Sequence, residues 1–244
     1  MIVTGGSAGI GLALVQLLVK RGVDVVVLDR QPCPVRSVQY VEVDIADEYG
    51  LASVIAGLPA EIGGLANVAG LPGTADPVQV LATNLLAPMR LTRSLLTRMS
   101  RGCSVVNVSS ISAGYGALPE FAQQRLLNLR SGDDLAKWLR EHPLTGGQAY
   151  RISKRAVSVW SGNLAAEVVG RGVRVNCVSP GPVDTDILND FKASMGNSAI
   201  DRAERILGRH ARPEEIAEVI AFLLVRQPQC VTLRRVVVMK AATA

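Results

Sequence analysis

Short apolar runs alternate with longer amphipathic patterns from the first residues onward, and this alternation constrains the fold more than any other feature. Ile2-Val3-Thr4 reads as a strand. A helix over about Ile10 to Lys20 follows it, because Ile10, Leu14, Leu17 and Leu18 recur at helical spacing and Gly22 stops the run. Val25-Val26-Val27-Leu28 is continuously apolar, as a strand covered on both faces should be. Further strands are expected at Val41-Glu42-Val43, Leu65-Ala66-Asn67-Val68, Ser104 to Val108 and Val173 to Val178, most of them separated by helical patterns. Strands alternating with helices predict an α/β fold, a doubly wound parallel sheet of Rossmann type. A length of 244 residues at 48% hydrophobic content fits one domain spanning 1–244.

Bulk properties exclude several function classes. No run approaches the roughly 18 apolar residues of a membrane helix. Met1-Ile2-Val3 enters a strand without a charged leader region, so a cytoplasmic protein is expected. Cys33, Cys103, Cys177 and Cys230 lie far apart with no Cys-x-x-Cys pair, which favours reduced thiols; with only His142 and His210, no metal site is expected. The net charge of +5 is spread along the chain rather than gathered in a basic tract, so no nucleic-acid partner is expected.

Thr4-Gly5-Gly6-Ser7-Ala8-Gly9-Ile10-Gly11 joins the first strand to the first helix. Gly5, Gly9 and Gly11 permit a tight turn, and the helix N-terminus then offers free N–H groups to a pyrophosphate. The spacing is Gly-x-x-x-Gly-x-Gly, not the Gly-x-Gly-x-x-Gly of the common dinucleotide fingerprint. Asp29 ends the second strand, where a carboxylate can accept hydrogen bonds from ribose hydroxyls and repel a 2′-phosphate. NAD is therefore favoured over NADP, although Arg30 beside it could accommodate a phosphate. Tyr150 and Lys154 stand four residues apart on one helix face, where an ammonium can lower the pKa of a phenol and make it a general acid/base.

With these motifs in order, residues 1 to about 225 resemble the short-chain dehydrogenase/reductase family. Thr4 to Gly11 match its glycine motif, Asn67-Val68-Ala69-Gly70 its Asn-Asn-Ala-Gly motif, and Asn84 its structural asparagine. Asn107-Val108-Ser109-Ser110 match its serine motif, Pro180-Gly181-Pro182-Val183-Asp184-Thr185 its Pro-Gly motif, and Arg212 to Ala217 a late helix start. The resemblance implies that Ser110 binds the substrate oxygen, Tyr150 exchanges its proton, Lys154 lowers the tyrosine pKa and holds the nicotinamide ribose, and Asn84 completes a water relay. It also implies cofactor contacts from Gly5, Ser7, Gly9, Ile10, Gly11, Asp29, Arg30, Asp44, Ile45, Asn67, Ala69, Gly70, Pro180, Gly181, Val183 and Thr185. A homo-oligomer, dimer or tetramer, is implied by the same resemblance.

Forty residues separate Ser110 from Tyr150, and residues 117–147 look like an insertion of two short helices. One follows Pro119; the other is capped by Asp133 or Asp134 and carries Leu135, Trp138 and Leu139. This insertion is similar to that of the bacterial 3α-hydroxysteroid dehydrogenase/carbonyl reductase subgroup, which implies an apolar alcohol or ketone substrate. Its alternative use is subunit packing. Residues 117–147 and 186–207, with Phe191 and Met195, are both lid candidates. The end, Val236 to Ala242, departs from the family's usual strand followed by Asp-Gly-Gly, though a strand at 236–239 is expected. A catalytically silent dinucleotide-binding sensor or scaffold is the alternative function.

Overall fold

A computed structural model describes residues 1–195, 208–225 and 236–238. Among the described residues, seven strands form one parallel sheet: β1 (Ile2–Thr4), β2 (Val26–Asp29), β3 (Gln39–Glu42), β4 (Gly64–Asn67), β5 (Ser104–Val108), β6 (Arg174–Pro180) and β7 (Val236–Val238). Their spatial order is β3-β2-β1-β4-β5-β6-β7. The direction of winding reverses between β1 and β4, and a crevice opens at such a switch point beyond the carboxyl ends of the strands.

Helices cover both faces because each inner strand is apolar on both. Ile2, Leu28, Leu65, Val105 and Val175 point into one core; Val3, Val27, Ala66, Val106 and Val178 point into the other, following the two-residue period of a strand. The second core is closed by α1 (Gly9–Lys20) and α9 (Pro213–Leu224) through Leu14, Leu18, Ile216 and Ile220. Leu14 and Leu18 are fully buried, so truncating either to Ala costs about 2–5 kcal/mol. The first core is closed by α2 (Glu48–Gly57), α3 (Pro77–Leu81), α4 (Ala87–Leu95) and α7 (Gly146–Val168).

The strands fall where the apolar runs place them, with ends displaced by one or two residues. The third runs over Gln39–Glu42 rather than 41–43, because its pairing with β2 is set by register and not by its own apolar content. The last occupies 236–238, paired with β6. Residue 239 and residues 196–207 of the proposed lid lie outside the described residues.

The insertion holds two helices, α5 (Glu120–Leu127) and α6 (Gly132–Glu141). The cap of α6 is Ser131, not Asp133 or Asp134. Ser131 Oγ accepts from the Asp134 N–H at 3.1 Å while Asp134 Oδ2 accepts from the Ser131 N–H at 3.2 Å, a reciprocal capping box in which aspartate serves as the third residue. Leu126, Leu127, Leu135 and Trp138 are buried in the first core, with α5 packed on α7 and α6 on α3. The insertion is therefore an outer layer of that core, and residues 117–147 contribute nothing to the cavity described next. That corrects their assignment as a lid.

Candidate active site

A cavity of about 510 Å³ lies across the switch point. Its walls are the segments that follow β1, β2, β3, β4, β5 and β6, together with Thr83, one face of α7 and the start of α8 (Leu188–Met195).

The glycine loop forms one end. Gly5 takes φ +69, and a Cβ there would stand 2.7 Å from the Ala69 Cα; a Cβ on Gly11 would stand 1.9 Å from the Gly5 carbonyl oxygen. Only glycine lets the loop lie this flat against β4. Helix α1 starts after Ala8, whose methyl cannot cap it, so its first N–H groups have no side-chain cap, and Ala8, Gly9 and Ile10 line the cavity. An uncapped N-terminus with the positive end of the helix dipole fits a pyrophosphate. Asp29 is fixed beside it: its Oδ2 accepts from the Ser7 N–H at 2.9 Å and its Oδ1 from the Gln31 N–H at 3.1 Å. Arg30 turns towards Asp44 (3.7 Å), and both are well exposed, so that pair contributes little stability.

At the other end stand Ser110, Tyr150 and Lys154, all lining the cavity. Tyr150 and Lys154 share one face of α7, whose start is fixed by a capping box between Thr145 and Gln148. Lys154 is only 5% exposed and donates from Nζ to the Val108 carbonyl at 3.0 Å. Burial lowers its ammonium to about 8, with Cys177 opposing that shift. Burial likewise pushes the Tyr150 phenol up to about 12, and hydrogen bonds from Ser110 and Ser112 pull the other way. Lys154 is not among the groups that shift Tyr150 here, and burial dominates. Desolvation outweighs the favourable contacts of the phenol, and the Lys154 Nζ atom, 5.7 Å from the ring centroid, donates to a carbonyl.

Of the remaining residues singled out, Gly5, Gly9, Ile10, Gly11, Asp29, Arg30, Asp44, Ile45, Ala69, Gly70, Pro180, Gly181, Val183 and Thr185 line the cavity. Three do not. Ser7 reaches Asp29 through its main chain, and its hydroxyl donates to the Gln31 carbonyl at 2.6 Å. Asn67 is turned inward, donating to Thr92 Oγ1 at 3.0 Å and Asn107 Oδ1 at 2.7 Å, so it ties β4 to β5 beneath the cavity. Asn84 accepts from the Leu71 N–H at 2.7 Å and donates to the Leu71 carbonyl at 3.0 Å and to Ser153 Oγ at 3.3 Å. Its side chain holds the wall at Leu71, while Thr83 beside it faces the cavity. Asn84 lies in a π-helical turn, Ala82–Leu86, wedged between α3 and α4, a distortion frequent at functional sites.

Ser112, Tyr115 and Arg151 also line the cavity and were not foreseen, while Ile187 and Leu188 belong to the lid stretch 186–207 that was. Ser112 had a usable signal, since it stands two residues beyond Ser110 on a short 3₁₀ turn, Ile111–Tyr115. Phe191, foreseen as part of a lid, lies against Tyr150 with ring centroids 5.0 Å apart.

Comparison with known proteins bears on the family and the fold. The short chain dehydrogenase family model matches residues 1–121, and a model described as enoyl-(acyl carrier protein) reductase matches 138–240. A coniferyl-alcohol dehydrogenase from a Pseudomonas strain is 35% identical over 224 residues, covering 91% of this chain and 88% of that protein. A cis-4-hydroxycyclohexanecarboxylate dehydrogenase of Sinomonas cyclohexanicum is 29% identical, covering 91% of this chain and 87% of that protein. Among solved structures, the 3-alpha-hydroxysteroid dehydrogenase from Pseudomonas sp. B-0831, complexed with NADH, aligns with a TM-score of 0.80 at 30% identity, covering 97% of this chain and 93% of that one. The chain belongs to the short-chain dehydrogenase/reductase family of oxidoreductases.

Proposed function

We propose that this protein is an NAD-dependent dehydrogenase or reductase acting on an apolar alcohol or ketone, with Tyr150 as the proton-exchanging group. One observation carries the reading: the glycine loop with Asp29 and the trio Ser110, Tyr150 and Lys154 line a single cavity.

The cofactor would lie along that cavity. Its pyrophosphate would be held by the N–H groups of α1 and its adenosine ribose by Asp29, whose carboxylate disfavours a 2′-phosphate and so favours NAD over NADP. When bound, the nicotinamide supplies the hydride donor or acceptor and, in its oxidised form, a positive charge. The chain's own residues handle the proton. Ser110 donates a hydrogen bond to the substrate oxygen and stabilises charge developing there. Tyr150 gives that oxygen a proton during reduction and takes one during oxidation. Lys154, still largely charged at neutral pH, favours the ionised phenol electrostatically and would hold the nicotinamide ribose. Asn84 would act through the wall it fixes and the opened helical turn in which it sits.

Leu71, Ile111, Ile187, Leu188 and Phe191 give the substrate end an apolar lining, which supports an apolar substrate. A coniferyl-alcohol dehydrogenase and a hydroxysteroid dehydrogenase among the similar proteins support the same class. We place the enzyme in the cytoplasm as a homo-oligomer, with no nucleic-acid or membrane partner; among the described residues no helix is long and apolar enough to cross a membrane.

The test is NAD- and NADP-linked turnover across aryl-allylic, steroid, terpenoid and aliphatic alcohols. The expected result is NAD-linked oxidation of at least one apolar class. A protein that binds NADH yet turns over none of them would be the silent sensor instead.

A further inference from the structure

Three serines follow one another closely after β5, and their hydroxyls have different fates. Ser109 is turned back into the fold, donating to the Lys154 carbonyl at 2.6 Å and accepting from Ser158 at 2.8 Å. Ser110 and Ser112 face the cavity. Ser110 also caps the 3₁₀ turn at Ile111–Tyr115, so its Oγ accepts from the Ser112 N–H at 3.1 Å. The same oxygen accepts from the Ser112 hydroxyl at 3.0 Å. A hydroxyl oxygen has two lone pairs and one proton. Both lone pairs of Ser110 are therefore filled by one residue.

We propose that Ser112 is a positioning residue that makes Ser110 an obligate donor to the substrate oxygen and supplies a second hydrogen bond to ionised Tyr150. This inference rests on the functional reading above. With its lone pairs occupied, Ser110 cannot accept from the Tyr150 hydroxyl, so the phenolic proton stays available to the substrate. The two incoming bonds also polarise the Ser110 O–H and strengthen the bond it donates. When Tyr150 gives up its proton, the Ser112 hydroxyl is free to turn from Ser110 to the phenolate, where a hydrogen bond favours the charged form. Without Ser112, Ser110 regains a lone pair and becomes a competing acceptor for the proton that reduction needs.

The test compares Ser112→Ala, Ser112→Cys and Ser112→Thr with wild type, using whichever alcohol wild type oxidises, across pH. Ser112→Ala is expected to lower kcat roughly tenfold to a hundredfold, the range set by one hydrogen bond to a charged group, and to move the rising limb of oxidation to higher pH. The KM for NAD should hold, since Ser112 stands at the substrate end. Ser112→Cys keeps the size but donates poorly and should behave like alanine, while Ser112→Thr keeps the hydroxyl and should restore both rate and pH limb. Wild-type kcat and pH dependence in the alanine and cysteine variants would overturn the inference while leaving the functional reading intact. A threonine variant no better than alanine would also overturn it. A wild-type protein with no turnover overturns both.

Discussion

Replacing Lys154 with Met should stabilise the cofactor-free protein while destroying its activity. Lys154 is 5% exposed, and burial lowers its ammonium from 10.5 to about 8. Holding that charge in the fold at neutral pH therefore costs about 3 kcal/mol. Methionine fills a similar volume without charge, but it leaves the Val108 carbonyl without its 3.0 Å donor, a loss of about 1–2 kcal/mol. The net expectation for Lys154→Met is a gain of about 1–2 kcal/mol at pH 7, or a Tm higher by about 2–8 °C in a chain of this size. The pH dependence identifies the cause. Below pH 8 lysine is protonated in both folded and unfolded chains, and the penalty is fully present. Between 8 and 10.5 the unfolded chain binds more protons than the folded one, so wild-type stability rises with pH relative to the variant. Above 10.5 the penalty is gone, and only the lost hydrogen bond remains. Tyr150, raised to about 12, begins to affect stability as unfolded tyrosine ionises near 10, but it is present in both proteins and largely cancels in their difference. Urea unfolding of both proteins at pH 7, 8, 9 and 10 measures the difference. A variant less stable at pH 7, or a gap that does not shrink from pH 8 to 10, would refute the reasoning.

Asp29→Ala should raise the NADP-to-NAD preference, measured as the ratio of kcat/KM values, by about tenfold or more, because it removes a charge-assisted hydrogen bond to the ribose and the charge that repels a 2′-phosphate; an unchanged ratio would remove Asp29 from the ribose site. Gly5→Ala forces a side chain into φ +69 and a 2.7 Å approach to Ala69, so it should cost about 1–3 kcal/mol of stability in urea unfolding and weaken NADH binding. NADH affinity equal to wild type in that variant would show that the loop does not carry the pyrophosphate.

The architecture was legible because each inner strand must be apolar on both faces, and runs such as Val25 to Leu28 and Ser104 to Val108 display that directly. The glycine loop was legible for a similar reason, since its constraints are local. Direction of facing was not. Ser7 and Asn67 occupy motif positions but spend their polar atoms on the protein's own groups, Asn67 in the interior and Ser7 at the surface, and only the neighbouring segments reveal it. The cap at Ser131 was passed over because two aspartates just beyond it also suit a helix start, and the choice depends on where α6 packs. The π-turn at Asn84 has no composition signal. The electrostatics of Tyr150 and Lys154 were the least legible of all. A four-residue spacing gives proximity, whereas burial, which moves both groups unfavourably, depends on Phe191 and the walls contributed by the segments after β4 and β5.

The central claim is that the Tyr150 hydroxyl exchanges the proton at a site assembled with the dinucleotide cavity. Tyr150→Phe removes that single oxygen and keeps the ring that packs on Phe191. NADH titration by fluorescence and turnover of the preferred alcohol, run on the same Tyr150→Phe preparation, should show wild-type affinity with kcat reduced by about 10²-fold or more. Turnover within a fewfold of wild type would contradict the account.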